Sequence, residues 1–272
     1  YILYSILAVL ILADMIPVNK RFFGNDHFVR TKNAEAYFAI QPYEEQILKD
    51  NDPNFRVLNL TTNTFNDART SYRLKSIGGY SAAKLRRYQD LIDVHISQEM
   101  NPLMQTIMQT QGFMLPDANE GRNFAVLNML NMKYAVVSLQ DGRQAPIQNP
   151  YAMGNCWFVD DIMLVDTPDE ECDKIDNIDL HTQAVADKRF ADALDITKPE
   201  VTTMMAFDEE TIELTSYAPN CLEYTARNER NKVAVFSEIY YPHDWHLYIV
   251  DEQGNNSVEI PIARVNYTLR AA

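Results

Sequence analysis

The chain has 272 residues, 46% of them apolar and 23% charged, which suits a folded protein with a sizeable core and excludes a disordered one. Its net charge of −14 and pI of about 4.7 exclude the broad basic face of a general nucleic-acid binder. Its three cysteines (Cys156, Cys172, Cys221) lack CxxC spacing and cannot furnish a four-ligand zinc site. Three buried thiols are expected of them, with one disulfide and one leftover thiol as the alternative.

Tyr1 to Ala13 hold one polar side chain, Ser5, before Asp14 interrupts. That run falls short of the roughly 20 apolar residues of a membrane span. It also lacks the basic start and small-residue cleavage site of a signal peptide. Two readings stay open: the distal part of a transmembrane helix, or an ordinary buried helix. Pro17 is expected to end it, and Lys20 and Arg21 behind it point to a cytoplasmic exit.

A short helix is predicted near Tyr43 to Lys49, then a turn at Asp52-Pro53-Asn54 and a buried strand over Phe55 to Leu60. Ser81 stands where an N-cap would, and Leu85, Tyr88, Ile92 and Ile96 recur at helical spacing, which predicts an amphipathic helix over Ala82 to Ser97. Asn101-Pro102 reads as cap and first-turn proline of a second helix stopped by Gly112. Asn123 to Asn131 predicts a helix, Tyr134 to Leu139 and Trp157 to Val165 predict strands, and Thr182 to Phe190 predicts another helix. The polar segment Asp166 to Asp179 reads as a solvated connector, without the alternating ligands of a calcium loop. From Thr211 the pattern becomes short alternating runs between turns, an antiparallel sandwich or barrel signature.

The expected fold class is therefore α+β: an N-terminal helix, an α/β layered domain over residues 23–200, and an antiparallel β-sandwich-like domain over 201–272. No P-loop, dinucleotide fingerprint or HExxH is present, and no cofactor is expected.

One stretch opposes the acidity of the rest. Asn66 to Asp90 (NDARTSYRLKSIGGYSAAKLRRYQD) holds six basic side chains against two acidic ones. Clustered cations in an acidic chain imply something to neutralise, either the protein's own carboxylates or an outside anion. Gly78-Gly79 ahead of a helix start would offer backbone N–H groups and the positive dipole end. The candidate anion- or sugar-binding residues are Gly78, Gly79, Tyr80, Lys84, Arg86, Arg87 and Tyr88. Gly79 to Ala83 nearly matches a G-x-S-x-G elbow, but no buried strand precedes it, so Ser81 is better read as an N-cap. His243-Asp244-Trp245-His246 looks like half a metal site, yet residues i and i+3 of a strand face opposite ways.

Several phrases occur together: SIGGYSAAKLRRYQDLID (Ser76 to Asp93), NMLNMKYAVV (Asn128 to Val137), NPYAMGNCWFV (Asn149 to Val159), FSEIYYPHDWHLYI (Phe236 to Ile249) and RVNYTLRA (Arg264 to Ala271). In this order they resemble the extracytoplasmic region of YfhO-like bacterial polytopic membrane proteins, related to glycosyltransferases of the GT-C type. The sequence departs at His243 to His246, where a Gly-Trp-Lys-like turn is expected. The resemblance implies that Tyr1 to Ile16 end a membrane span, with residues 1–22 membrane-derived. It further implies that the soluble part sits on the extracytoplasmic face and assists sugar transfer from a lipid-phosphate donor to a cell-envelope polymer. It supplies no catalytic residue, and this region is expected to have no activity by itself. The alternative is a non-enzymatic envelope module that binds glycan or a partner protein through Tyr240, Tyr241 and Trp245.

Overall fold

The computed structural model describes residues 1–28, 30–110, 124–194, 210–228, 231–251 and 256–272. They fall into two units, residues 1–42 and 43–272. The class is α+β.

The first unit opens with α1 (Ile2–Phe22), which runs through Pro17 instead of ending there. Proline removes only the N–H that would meet the Ala13 carbonyl, and one missing bond does not stop a helix this long. With 21 residues, α1 extends about 30 Å and is long and apolar enough to cross a membrane. None of it is buried within the protein, and it is apolar on all sides. The buried-helix alternative therefore finds no packing partner among the described residues. A 3-10 turn (Asn25–His27) and α2 (Thr31–Phe38) follow.

The second unit starts at Tyr43, within α3 (Pro42–Ile47), whose Tyr43 and Ile47 pack on β1 (Arg56–Asn59). β1 runs parallel to β2 (Met132–Ser138), which pairs antiparallel with β3 (Gln144–Gln148). The outer edge of β1 is covered by residues 75–77: the Val57 N–H donates to the Lys75 carbonyl (2.8 Å) and the Ile77 N–H to the Val57 carbonyl (3.0 Å).

Two helices were expected where the structure has one continuous rod: α4 (Arg86–Leu91), a π-helical turn (Ile92–Ile96) and α5 (Ser97–Gln109). Pro102 does not start α5 but lies inside it, on the exposed face, where water reaches the carbonyl it leaves unbonded. Gly112 lies outside the described residues. The buried row Leu91, His95, Glu99, Leu103, Ile107 advances by four residues per step. An α-helix would rotate such a row by about 40° per step. The wider π turn absorbs part of that rotation and keeps the row on the core.

α6 (Ala125–Met129) lies within the predicted helix over Asn123 to Asn131. Trp157 to Val165 is not one strand but two, β4 (Cys156–Val159) and β5 (Asp161–Val165), which break at Asp160 and enter different sheets. The presumed connector contains α7 (Pro168–Lys174). Thr167 caps it by accepting from the Glu170 N–H (3.2 Å), Pro168 fills N1, and Glu171 and Cys172 are buried. The helix expected over Thr182 to Phe190 is instead β6 (Gln183–Asp187) and a 3-10 turn (Lys188–Phe190). β6 pairs parallel with β5, so β5, α7 and β6 form a crossover unit.

The last quarter forms two hairpins, β7 (Thr211–Ala218) with β8 (Cys221–Arg227) and β10 (Leu247–Val250) with β11 (Ser257–Ile260). β9 (Val233–Ile239), β12 (Ala263–Val265) and β13 (Leu269–Ala271) build an antiparallel sheet in the order β12-β13-β9-β4. Strands from both sides of residue 200 thus share one sheet. The Asn266 N–H also reaches the Val185 carbonyl of β6 (2.8 Å). Cys156 and Cys172 are buried, whereas Cys221, expected inside, is exposed at the β7–β8 turn.

Candidate functional site

The glycine pair does not present free N–H groups. Gly79 adopts φ 103° and its N–H donates to the Thr64 carbonyl (2.7 Å), while the Gly78 N–H donates to Ser76 Oγ (3.1 Å). The helix begins at Arg86 rather than Ala82, with Leu85 at the N-cap. Ser81 Oγ accepts only from the Ala83 N–H (3.3 Å), in a turn ahead of the helix. The dipole end and the glycines are therefore separate features.

Most of the basic stretch is engaged by the protein itself. Arg69 hydrogen-bonds the Tyr43 hydroxyl, Arg73 lies 3.9 Å from buried Glu44, and Lys75 donates to Asn54 Oδ1 (2.5 Å) above the Tyr217 ring. Arg86 pairs with Asp90 one turn along (2.9 Å). Arg87 turns inward and stacks its guanidinium on Tyr267, 4.7 Å from the ring centre. Tyr80 is exposed and lies outside the pocket described next.

Lys84 differs. Among the described residues no carboxylate lies within 4 Å of its ammonium, which instead approaches the Phe65 ring at 5.7 Å. It lines an open pocket of about 270 Å³ together with Gly78 and Tyr88. Three of the seven predicted residues thus meet there, joined by Arg56 and Ile239, which the sequence did not single out. Ile77, Leu85 and Ile239 supply an apolar wall, and Arg56 and Lys84 two cations with no carboxylate in the lining. Arg56 is held in place by Nη1, which donates to the Leu130 and Ser237 carbonyls (2.7 Å each). Tyr88 donates its hydroxyl to the Ile77 carbonyl (2.6 Å), and burial pushes its pKa up to about 12. The tyrosine is a fixed wall, not a proton donor in reserve. The volume lies just below the usual range for small-molecule sites, so the pocket fits a single small group.

A second constellation was missed by sequence reasoning. His95 Nδ1 lies 3.1 Å from Asp176 Oδ1, and Nε2 lies 3.1 Å from the Cys172 carbonyl oxygen and 3.3 Å from its Sγ, which superficially matches the line-up of a nucleophile, base and orienting acid. The thiol, however, is buried, and burial with the surrounding carboxylates of Asp173, Asp176, Asp90 and Glu171 pushes it up to about 11. A thiol so hard to ionise is a poor nucleophile, and the trio works as a tie between the long helix and α7. The π turn that carries His95 is the geometric signal, and it has no one-residue signature.

One turn further, Glu99 accepts the Val126 and Leu127 N–H groups (2.9 Å each) at the start of α6. Burial dominates, and with Asp176 it outweighs those bonds, raising the carboxyl from 4.5 to about 8. A carboxyl raised on folding stabilises the fold in its neutral form, so its contribution is present below 4.5 and is lost as pH rises through 8. Glu99→Gln should flatten that slope. In urea unfolding at both ends of the window, the wild type loses more stability with rising pH than the variant does. Equal losses would exclude Glu99 as the source.

The remaining candidates resolve locally. His246 Nδ1 pairs with Glu259 Oε1 (2.6 Å), while the His243 ring meets the Tyr241 ring edge-on, so the two imidazoles have separate partners. Tyr240 packs edge-on against Phe190, and Trp245 lies 4.1 Å from the Arg270 guanidinium; both are half-buried, and Tyr241 alone of the three is exposed. Searches against family models, curated proteins and solved structures return no match to this chain.

Proposed function

We propose that this chain is the soluble region, with its adjoining membrane helix, of a YfhO-like polytopic membrane protein of glycosyltransferase type. On the family resemblance, which here outweighs the cytoplasmic exit suggested by Lys20 and Arg21, it lies on the extracytoplasmic face and assists sugar transfer from a lipid-phosphate donor to an envelope polymer. It holds the anionic group and does no chemistry itself. The observation that carries this reading is the small pocket with Arg56 and Lys84 in its lining, an apolar wall and no lining carboxylate, in a protein of net charge −14. Cations with no carboxylate beside them in the lining of an open, partly apolar depression favour a phosphate or carboxylate attached to a larger molecule. The exposed apolar α1 supports the membrane location.

The test is titration of the full chain in detergent with a short-chain polyprenyl phosphate and with a hexose phosphate. Lys84→Ala should weaken binding about tenfold, the worth of one charge-assisted hydrogen bond. Arg86→Ala, which removes a cation already paired with Asp90, should leave affinity unchanged. Equal affinities for wild type and Lys84→Ala would remove the pocket as the site.

A second reading has its own support. The β10–β11 hairpin exposes Tyr248, Ile249, Val250 and Val258, close in sequence to exposed Tyr241. Such a surface suits a non-enzymatic module that binds glycan or a partner protein. Retention on envelope glycan by the full chain, lost on Tyr241→Ala and Tyr248→Ala but not on Lys84→Ala, would favour it.

A further inference from the structure

The segment around and after the end of α1 departs from the rest of the chain in both charge and exposure. Lys20, Arg21, Arg30 and Lys32 stand against only Asp26 and Glu35 in residues 20–38. Between these cations Phe22, Phe23 and Phe28 are exposed by 78%, 65% and 66%. The rings do not trail freely from the helix. Phe23 stacks on His27 (6.0 Å between ring centres) and meets Phe28 edge-on (5.1 Å). The Phe23 N–H closes the last turn of α1 on the Asn19 carbonyl (2.8 Å), and the Gly24 N–H donates to His27 Nδ1 (3.1 Å). A 3-10 turn and two ring contacts thus hold an aromatic cluster at the end of the apolar helix, flanked on both sides by basic residues.

Three phenyl rings kept in water forgo a large apolar burial, and a protein interior would exclude the cations around them. One environment accepts both at once. The interfacial layer of a bilayer takes aromatic rings at headgroup depth, and anionic headgroups attract Lys and Arg beside a span. We propose that residues 20–28 and 30–32 form a collar that docks in the headgroup layer of an anionic bilayer, with Phe22, Phe23 and Phe28 in the interface and Lys20, Arg21, Arg30 and Lys32 on lipid phosphates. α2 extends the collar: Ala34, Tyr37 and Phe38 fall at i, i+3 and i+4, with Lys32 and Glu35 on other sides of the helix. The proposal rests on reading α1 as a membrane span.

The full chain in nanodiscs separates the two claims. Phe23→Trp, Phe28→Trp and, as a control within α1, Leu10→Trp are read by fluorescence quenching with lipids brominated near the headgroup or mid-chain. The unchanged chain, which carries Trp157 and Trp245, is subtracted. Mid-chain bromine should quench Leu10→Trp, whereas shallow bromine should quench Phe23→Trp and Phe28→Trp. Quenching of Phe28→Trp should be stronger with phosphatidylglycerol than with phosphatidylcholine alone. Neutralising Arg30 and Lys32 together (Arg30→Gln, Lys32→Gln) should abolish most of that preference, each cation contributing about fivefold to docking. Quenching of Leu10→Trp without quenching of Phe23→Trp or Phe28→Trp overturns the collar and leaves the span intact. Mid-chain quenching at Phe28→Trp overturns it too, by placing the rings in the hydrocarbon. Equal quenching in both lipids overturns the assignment to anionic headgroups. Absent quenching of Leu10→Trp overturns span and collar together.

Discussion

Gly78→Ala is expected to cost the second unit roughly 3 kcal/mol or more of stability, measured by urea unfolding. A Cβ at this position would stand 2.0 Å from the Thr64 carbonyl oxygen and 2.7 Å from its carbon, both backbone atoms. Neither can yield easily. The same carbonyl accepts the Gly79 N–H (2.7 Å), and the Thr64 hydroxyl donates to the Asn59 carbonyl (2.8 Å). Asn59 is itself buried, with its amide donating to Tyr43 and Thr70 hydroxyls (3.3 and 3.0 Å). The loop that would have to move is tied at several points to β1 and α3. Gly142→Ala is the matched control: its φ of 81° is strained for a side chain, but nothing lies within 4 Å of the added carbon. It should cost about 1 kcal/mol. A loss at Gly78 no larger than that at Gly142 would show that the Thr64 loop is free to give way. The same expectation explains why the glycine pair stands ahead of the pocket. It lets two chain segments touch, and so sets Ser76, Ile77 and Lys84 around one opening.

The sequence disclosed its local rules and concealed what depended on distant partners. The strand at Arg56–Asn59, the helix at Ala125–Met129 and most strands after Thr211 carry enough pattern in their own residues to be placed. Thr182 to Phe190 does not. A short Ala-Val-Ala run reads equally as helix or strand, and pairing with β5 decides it. The acidic composition of Asp166 to Asp179 hid a helix whose cap, Thr167-Pro168, was plain once composition was set aside. Within Val258 to Leu269 no glycine marks the β12–β13 turn. There Asn266 and Tyr267 take φ of 48° and 66°, a conformation that the tight hairpin imposes even on a tyrosine. The candidate site follows the same logic. Positive charge in the stretch was visible, but which cation stays uncommitted depends on Glu44, Asn54, Asp90 and Tyr267, all brought in by the fold. Arg56 and Ile239 join the pocket from strands far away in sequence, and no spacing rule could name them.

Arg264→Met is the second large effect, and it should be costlier alone than in company. The Arg264 guanidinium, 4% exposed, pairs with fully buried Glu171 at 2.5 Å. The other Glu171 oxygen accepts the Tyr267 N–H (3.1 Å) in the β12–β13 turn, so the pair joins α7 to the central sheet. Burial raises the Glu171 pKa even with Arg264 beside it, which means that desolvation outweighs the attraction. Removing the arginine leaves a buried carboxylate that has lost its hydrogen-bonded cation and keeps only the weaker attraction of Arg87, and should cost about 3 kcal/mol near neutral pH. Adding Glu171→Gln removes that charge while the amide oxygen can still accept the Tyr267 N–H. The double variant should therefore recover at least about 1 kcal/mol over Arg264→Met alone, a coupling that a double-mutant cycle reads directly. The sign with pH follows from the same cause. A Glu171 carboxyl raised further by loss of its partner is tolerated when neutral, so the deficit of Arg264→Met should shrink as pH falls and grow as it rises. If instead the two losses simply add, and the deficit is the same at acid and neutral pH, the pair is not desolvated and the join between α7 and the sheet rests on apolar packing alone.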